Sequence, residues 1–219
     1  MKILMGTTNP SKVKRFREFL EDCDIEFYTL QDLKIDKEPV EIGKTPEENA
    51  MIKAKFYGQF FDKVICNDSG LYFGGISLDD LRQPGLNIRT PQGHSRMNDE
   101  EMISYYSELI GSLGGKVLAF YLDGIAVFNS GKVYTFMESA EEAMKNSFYM
   151  VEKPSELRHD GWPLDSISLN SKTMTYFVEK GNDIYDKTEE NIMLGEYRKR
   201  IIEFLKESLG IQHKTGERL

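Results

Sequence analysis

The sequence predicts an α/β fold, in which strands of a sheet alternate with helices over the first half of the chain. Lys2–Gly6 and Ile25–Leu30 are short runs of strand length, and a helix-start signal follows each run. The 219 residues are enough for one sizeable core or two small lobes. We expect a single domain over residues 1–210 and a loose tail over residues 211–219.

Charge and cysteine content exclude several classes of protein. The net charge is −8, which argues against duplex nucleic acid as the main partner, although a local cluster of donors can still bind a small anion. Cys23 and Cys66 lack metal-ligand spacing and form no disulfide framework, so a reducing, cytoplasmic setting is expected. We expect neither a signal peptide nor a membrane-spanning segment.

A polar loop and a helix start follow the first strand. Asn9 is predicted to be the N-cap and Pro10 the first helical residue. Such a helix start directs backbone N–H groups at the loop, and Lys12 adds a full positive charge. The segment therefore predicts an anion site, although an ordinary strand-to-helix turn is the alternative. The glycine spacings of a Walker A loop or a dinucleotide fingerprint are missing.

The next helix, predicted from Pro46 to about Phe61, has a strong start signal. Thr45 is expected to cap it, and Glu48 has the spacing of a capping box. Asn49 and Lys53 are four residues apart, so both side chains face the same side of the helix. An ordinary amphipathic helix is the alternative interpretation.

A third short strand, Val64–Cys66, is predicted to end in the turn formers Asn67–Gly70. Asp68 would then lie at the carboxyl end of a strand, where open α/β sheets bind their ligands. A turn that only closes the strand is the alternative.

The second half predicts further helices and strands. Asp99–Leu113 is expected to be helical, and three antiparallel strands are expected over Lys116–Met137, because Asp123-Gly124 and Ser130-Gly131 are hairpin signals. The last helix is expected to begin at Thr188 and to stop at Gly210.

The remaining features are a tryptophan in a predicted loop, a strand-like segment and three isolated histidines. Trp162 lies in a predicted loop, and Met174–Glu179 has a strand-like pattern. The isolated histidines are expected at the surface or in caps rather than as metal ligands; they are His94, His159 and His213.

Two carboxylates combined with lysines and amides suit phosphoryl chemistry. Glu41 and Asp68 offer the oxygen ligands that Mg²⁺ takes. Lys12 and Lys53 can neutralise phosphate charge, and a carboxylate can take a proton from water.

Four segments share their order and spacing with the motifs of one family. Thr7–Lys12 matches T-x-N-x-x-K, and Glu41–Ala54 matches E-x-x-x-T-x-x-E-N-A-x-x-K-A. Asn67–Leu71 matches D-D-S-G-L, and Pro84–Arg89 partly matches P-G-x-x-S-A-R. Across roughly the first 90 residues, the chain therefore resembles the inosine/xanthosine triphosphate pyrophosphatases, which remove damaged purine nucleotides from the precursor pool.

The second half departs from that pattern. The family's F-G-Y-D-P loop, which holds the base, is represented by Trp162–Ser166, and its T-x-A-E-L motif by Thr173–Phe177. The S-H-R motif, which reads the purine edge, would fall on Glu196–Arg198, where only the arginine remains.

The resemblance implies an elongated two-lobed α/β fold, with a central mixed sheet flanked by helices, a nucleotide cleft between the lobes and a homodimer. It implies Mg²⁺-dependent hydrolysis, with Mn²⁺ as a substitute, of a non-standard purine triphosphate such as ITP, dITP or XTP to the monophosphate and pyrophosphate. Glu41 and Asp68 would bind the metal, and Asp68 would orient or deprotonate the attacking water.

The resemblance also implies substrate contacts. The residues that would hold phosphates are Thr7, Thr8, Asn9, Lys12, Lys53 and Ser69. Trp162 would stack on the base, and Asp165 and Arg198 would lie near it. Two alternatives stay open: a non-catalytic nucleotide-binding or regulatory protein on the same fold, and a hydrolase of a different nucleotide, such as a modified pyrimidine or a sugar nucleotide.

Overall fold

The computed structural model describes residues 1–91, 94–159, 161–179 and 189–211. The strands are β1 (Lys2–Met5), β2 (Glu26–Thr29), β3 (Lys63–Phe73), β4 (Lys116–Asn129), β5 (Lys132–Met137), β6 (Phe148–Val151) and β7 (Ser168–Leu169). The helices are α1 (Pro10–Phe19), α2 (Pro46–Tyr57), α3 (Asp99–Ser112), α4 (Ala140–Met144) and α5 (Glu189–Leu209). Two 3₁₀ turns cover Pro163–Ile167 and Phe177–Glu179.

The strands form one open mixed sheet in the order β2-β1-β3-β4-β6-β7, and β5 pairs with β4. β1 is parallel to both β2 and β3, whereas β4 is antiparallel to β5 and β6. Helices flank the sheet, so the predicted α/β class with a central mixed sheet is confirmed. The expected single domain and the expected cleft stay predictions.

The chain divides into two compact units. The first unit contains Met1–Ser69, Asp123–Glu138 and the described residues after Leu194. Its strands bury alternate residues on opposite faces, because side chains alternate along a strand. One face packs on α1 and α5 through Ile3, Met5, Ile65, Phe16, Ile201 and Leu205. The other face packs on α2 through Leu4, Val64, Cys66, Ala50 and Ala54.

The second unit contains Gly70–Leu122 and the described residues of Ser139–Met193. Its core joins α3 to strand residues and to the first 3₁₀ turn, and includes Leu71, Phe73, Ile103, Tyr106, Ile110, Met150, Leu164 and Ile167. The buried Tyr106 hydroxyl donates to the Ile88 carbonyl at 2.9 Å, which satisfies the one polar group of that side chain.

Several predicted element boundaries are confirmed. Asn9 caps α1 and Thr45 caps α2, each with proline next in the chain. The Ser130-Gly131 hairpin joins β4 to β5. α5 ends before Gly210, whose φ is 72°, in the left-handed region that glycine favours. Its predicted start at Thr188 and the tail from residue 212 lie outside the described residues.

Two predicted chain breaks are wrong. β3 continues through Asn67–Gly70, and β4 continues through Asp123-Gly124, so Lys116–Met137 forms two strands instead of three. Long-range contacts override the local turn preference, since the Asn67 amide donates to the Gly124 carbonyl at 2.9 Å. Gly124 is needed there for close approach, because a Cβ would lie 2.2 Å from the Pro46 carbonyl carbon.

The strand-like pattern of Met174–Glu179 is also wrong for most of its length. Only Tyr176 forms a bridge, to Leu169, before the second 3₁₀ turn begins. Among the described helices, none has both the length and the apolar character that crossing a membrane requires.

Candidate functional site

Lys53 on α2 lies between two carboxylates. Its Nζ is 3.0 Å from Glu41 Oε2 and 3.0 Å from Asp68 Oδ1. The Lys53 and Asp68 side chains are only 16% and 15% exposed. Burial lowers the pKa of Lys53, but the charge and hydrogen bond of Asp68, together with Glu41, outweigh burial and raise this pKa above its ordinary value. Lys53 therefore stays charged and draws the two carboxylates together.

Asn49 is one turn earlier on the same face of α2 and is 4% exposed. Its Nδ2 donates to Asp68 Oδ2 at 3.1 Å, and its Oδ1 accepts from the Gly43 N–H at 2.8 Å. Both oxygens of Asp68 thus have a donor, and the segment that carries Glu41 is fastened to α2. The shared face of Asn49 and Lys53 is as predicted from their spacing, whereas the contact of Asn49 with Asp68 is not among the predicted site contacts.

The start of α2 holds these side chains over β3. The Thr45 hydroxyl accepts from the Glu48 N–H at 3.1 Å, as predicted. The Glu48 carboxylate accepts from the Lys44 N–H at 2.6 Å, one residue before the N–H that a standard capping box would use. The helix start packs directly on Gly124, which has no side chain to keep it away.

α1 contributes the ammonium group of Lys12 to this site. The first backbone N–H groups of the helix already have hydrogen-bond acceptors in Asn9. Asn9 Oδ1 accepts from the N–H groups of Ser11 and Lys12, and the Val13 N–H bonds to the Asn9 carbonyl. Lys12 Nζ reaches the Asn67 carbonyl at 3.5 Å. Burial lowers the pKa of Lys12, and the nearby carboxylates Asp123 and Asp68 oppose that effect. The predicted anion site thus depends on Lys12 more than on free amides.

The two threonines of the loop lie beside an open pocket. The Thr7 hydroxyl accepts from the Asn9 N–H at 3.2 Å. Thr7 and Thr8 line a cavity of about 460 Å³, together with α1 residues such as Arg17 and with Thr29 at the end of β2. Both threonines therefore border this pocket next to α1.

Asp123 is a further charged residue at this site. Its Oδ2 accepts from Arg15 Nη1 at 2.9 Å, and its Oδ1 accepts from the Ser69 hydroxyl at 2.6 Å. Burial raises the pKa of Asp123, but Arg15, the Ser69 hydrogen bond and Lys12 together hold it below its ordinary value. The sequence analysis interpreted Asp123-Gly124 only as a hairpin signal. The available clue was an acidic residue inside an otherwise apolar strand.

These residues form a charge cluster within the first unit. Its members are Glu41, Asp68, Asp123, Lys12, Lys53 and Arg15. Three carboxylates and three cations balance one another formally, and Ser69 and Asn49 supply neutral hydrogen bonds. Bound phosphates would add negative charge to this balanced set, so an additional cation would favour their binding.

The described contacts of three other predicted site residues are with residues that do not belong to this cluster. Arg198 on α5 bonds to the Glu18 carbonyl at 3.3 Å and lies over the Phe19 ring, 5.4 Å from its centroid. In the second unit, Trp162 is 44% exposed. Asp165 Oδ2 lies 2.9 Å from His159 Nδ1, and burial raises the pKa of Asp165 against the opposing effect of that contact.

Two of the three histidines lie among the residues that the structure describes. His94 and His159 are exposed, as predicted, and His213 lies outside the described residues. Within those residues, no group of three or more histidine, cysteine or acidic side chains is arranged to hold a metal ion. A metal here would therefore take its remaining ligands from phosphates and water.

The chain has detectable relatives. The model of the Ham1 family matches residues 3–121. The dITP/XTP pyrophosphatase of Bacillus subtilis is 30% identical over 174 residues, which cover 78% of this chain and 83% of that protein. The protein of the same name from Thermoanaerobacter pseudethanolicus is 41% identical over 87 residues, and the match spans only 42% of that protein's length.

Solved structures share the fold. The Ham1 protein of Staphylococcus aureus has a TM-score of 0.65 and 18% identity, covering 92% of this chain and 98% of that chain. A HAM1 protein from Coxiella burnetii has a TM-score of 0.68 and 20% identity, covering 94% of this chain and 99% of that chain. At these identities the likeness concerns the fold.

Proposed function

Because the chain belongs to the Ham1 family, we propose that it hydrolyses a nucleoside triphosphate to the monophosphate and pyrophosphate. The sequence-based assignment to the inosine/xanthosine triphosphate pyrophosphatases agrees with this membership. The observation that carries the proposal is the position of Lys53, 3.0 Å from both Glu41 and Asp68. Glu41 and Lys53 belong to one sequence motif and Asp68 belongs to another, and the fold brings the three side chains together.

A divalent cation, Mg²⁺ or Mn²⁺, fits the residues present. Glu41 and Asp68 supply carboxylate oxygens that each lie 3.0 Å from the same atom, Lys53 Nζ. Mg²⁺ is commonly held by one or two carboxylates with substrate phosphates and water, so two protein ligands are sufficient. The charge cluster is formally neutral, so an additional cation is needed to balance the negative charge of a triphosphate. This need also favours a divalent cation at the site. When bound, the ion would offset phosphate charge.

The chain's own residues position the reactants. Asp68 is held by donors from Asn49 and Lys53, so its carboxylate has a fixed orientation. Lys12 and Lys53 supply positive charge for the phosphates. Phosphoryl transfer has a loose transition state, so orientation and charge neutralisation supply most of the rate enhancement. Asp68 would orient that water and accept its proton.

We propose a non-standard purine triphosphate as the substrate class, because the relatives are named dITP/XTP pyrophosphatases. The assignment of Trp162, Asp165 and Arg198 to the base stays a prediction from the resemblance. A homodimer is likewise expected from the resemblance.

The test is a substrate screen with product identification. Purified protein is incubated with Mg²⁺ and a panel of ITP, dITP, XTP, the four standard ribonucleotides and a sugar nucleotide, and pyrophosphate, phosphate and monophosphate are quantified. Equimolar monophosphate and pyrophosphate from a purine triphosphate is expected. Nucleotide binding without pyrophosphate would support the non-catalytic alternative, and turnover confined to a pyrimidine or sugar nucleotide would reject the purine assignment.

A further inference from the structure

We propose that Lys53 competes with the divalent cation for Glu41 and Asp68, so that the site takes up its cation as a complex with the triphosphate and not as the free ion. This inference rests on the proposed function and deepens it, because it concerns the same carboxylates and the same substrate. It gives Lys53 a second role besides holding phosphate: before substrate binds, its ammonium group is the counterion of both carboxylates.

The first observation is that both oxygens of Asp68 already have donors. Lys53 Nζ donates to Oδ1 at 3.0 Å, and Asn49 Nδ2 donates to Oδ2 at 3.1 Å. The same Lys53 Nζ lies 3.0 Å from Glu41 Oε2. A cation that binds Asp68 would therefore share an oxygen with one of these two donors, and Lys53 is the donor that also reaches Glu41.

The second observation is how near the Lys53 ammonium lies to an ion on either carboxylate. Mg²⁺ binds oxygen at about 2.1 Å, so an ion on Glu41 Oε2 or Asp68 Oδ1 would lie within about 5 Å of Lys53 Nζ. The Lys53 and Asp68 side chains are largely buried, so water screens the repulsion between the two cations only weakly. Binding of a free ion would thus require Lys53 to move away.

The third observation is that Lys53 can leave without disturbing its neighbours. The side chain of Asn49, one turn earlier, binds Gly43 as well as Asp68, so the segment that carries Glu41 depends on it. Lysine carries its charge on a flexible four-carbon stem, which can turn while the helix stays in place. Removal of the Lys53 ammonium therefore leaves both carboxylates on a backbone that Asn49 still fastens.

A triphosphate supplies the partners that Lys53 would lose. A displaced ammonium group gives up two charged acceptors, and a free divalent ion offers it none in return. Phosphate oxygens are charged acceptors, so a metal–triphosphate complex completes an exchange: the ion takes the carboxylates, and the phosphates take the ammonium group. Lys12, whose Nζ lies 3.5 Å from the Asn67 carbonyl, adds positive charge for the same phosphates. The exchange therefore favours the complex over the free ion.

The test compares binding of a free ion with binding of the complex. The affinities of wild type and Lys53→Gln for Mn²⁺ alone and for magnesium tripolyphosphate are measured by isothermal titration calorimetry. Lys53→Gln should bind Mn²⁺ about tenfold more tightly than wild type and magnesium tripolyphosphate about tenfold more weakly, as one charged hydrogen bond would account for. A purely structural role of Lys53 would weaken both. Mn²⁺ binding that is unchanged or weaker in Lys53→Gln would overturn the proposal.

Two further lysine substitutions control for the loss of charge. The Lys206 side chain is 14% exposed and pairs with Asp22 at 2.7 Å, an ion pair that shares no residue with the charge cluster. Lys206→Gln should leave both affinities unchanged. Lys12→Gln removes one positive charge from the cluster itself, but Lys12 bonds to the Asn67 carbonyl, so its effect on Mn²⁺ affinity should be at most about twofold. A gain equal to that of Lys53→Gln would mean that net charge, rather than competition for the carboxylates, sets Mn²⁺ affinity, and would overturn the proposal.

A double substitution locates the ion. Adding Glu41→Gln to Lys53→Gln should abolish the gain in Mn²⁺ affinity, because it removes one of the two carboxylates that Lys53 contacts. A gain that survives Glu41→Gln would place the ion elsewhere and contradict the proposal.

Two measurements keep the outcomes distinct. If Lys53→Gln does not fold, the ammonium signal of Lys53 is followed by NMR in the wild-type protein. Magnesium tripolyphosphate should shift this signal at a concentration at which Mg²⁺ alone leaves it unchanged, and an equal shift with Mg²⁺ alone would overturn the proposal. Pyrophosphate release is assayed in parallel. If no triphosphate is hydrolysed, the proposed function fails, and the Mn²⁺ affinities still decide whether Lys53 competes with the ion.

Discussion

The charge cluster of the first unit and the Trp162–Asp165 loop of the second unit are held in different ways. In the cluster, Lys53 bridges to Asp68 from another element, and Asp123 receives donors from α1 and β3. In the loop, Asp165 has His159, six residues away, as its partner, and Trp162 is 44% exposed. Groups fixed by several elements are preorganised by folding, whereas the loop anchors Leu164 in the core and leaves the side chains of Trp162 and Asp165 to their contacts with His159.

This contrast predicts where substitutions act on rate and where they act on affinity. Preorganised charges contribute most when charge develops in the transition state. A half-exposed aromatic side chain offers stacking that is similar for every base. We therefore expect the first region to control turnover and the second to control binding.

Removal of the divalent cation should have the largest effect. In excess chelator, with metal-free protein, hydrolysis of the best triphosphate should fall to the background rate, because the charge cluster is formally neutral. Pyrophosphate release is measured before and after Mg²⁺ or Mn²⁺ is restored. Full activity in chelator would remove the metal from the proposed mechanism.

Asp68→Asn should lower kcat by about 10²–10⁴, the range for loss of a general acid–base residue. Size is retained, so Tm should change little compared with the rate. The matched control is Asp165→Asn, the same substitution in the loop, for which kcat should remain near the wild-type value. Near-wild-type turnover of Asp68→Asn would reduce Asp68 to a structural residue of β3.

How much of each region could be predicted depends on whether its contacts are local or long-range in the sequence. Helix caps and the shared face of Asn49 and Lys53 depend on spacing within one helix, so the sequence alone predicted them. The continuation of β3 and β4 depends on contacts such as Asn67 with Gly124, which are 57 residues apart. The hydrogen bond from Ser69 to Asp123 is equally long-range, and a turn-forming dipeptide concealed it. Local patterns cannot supply such pairings.

Asn49→Ala should lower kcat about tenfold and destabilise the fold by about 1 kcal/mol, because a partly buried acceptor and a partly buried donor both lose their partner. The substitution removes one of the two hydrogen-bond donors to Asp68 and removes the acceptor of the Gly43 N–H. Denaturant unfolding and steady-state kinetics measure the two effects. If stability falls while kcat is unchanged, Asn49 supports the fold without orienting Asp68.

Trp162→Ala should raise KM by about fivefold for every triphosphate tested and leave kcat nearly unchanged. Base stacking is worth roughly 1–3 kcal/mol, and the exposure of Trp162 places it at the low end. The chain replaces several polar groups of the family motifs, at Pro163, Leu164, Tyr176 and Tyr197. We therefore also expect ITP and XTP to be preferred over ATP and GTP less strongly than the family pattern implies. Values of kcat/KM for these four substrates test both statements. A strong preference for ITP that Trp162→Ala leaves unchanged would contradict both statements.

The smallest effect concerns the stability of the loop itself. Burial raises the pKa of Asp165, so the carboxyl is harder to ionise in the native state than in the unfolded state. Below the unfolded-state pKa both states are protonated, and the shift contributes nothing. As pH rises through the native-state pKa, the wild type therefore loses stability relative to Asp165→Asn. Unfolding free energies of both proteins from about pH 3 to about pH 5.5, below the ordinary range of histidine titration, measure this trend.

The same substitution at the exposed Asp36 provides the reference for that comparison. If burial governs the Asp165 carboxyl and the loop takes no part in turnover, the difference between Asp165→Asn and wild type should grow with pH while kcat stays constant. A difference that is flat across the range would mean that burial does not govern the Asp165 carboxyl. A parallel change in kcat would mean that the loop takes part in turnover, and the division between a rate-controlling and a binding region would fail.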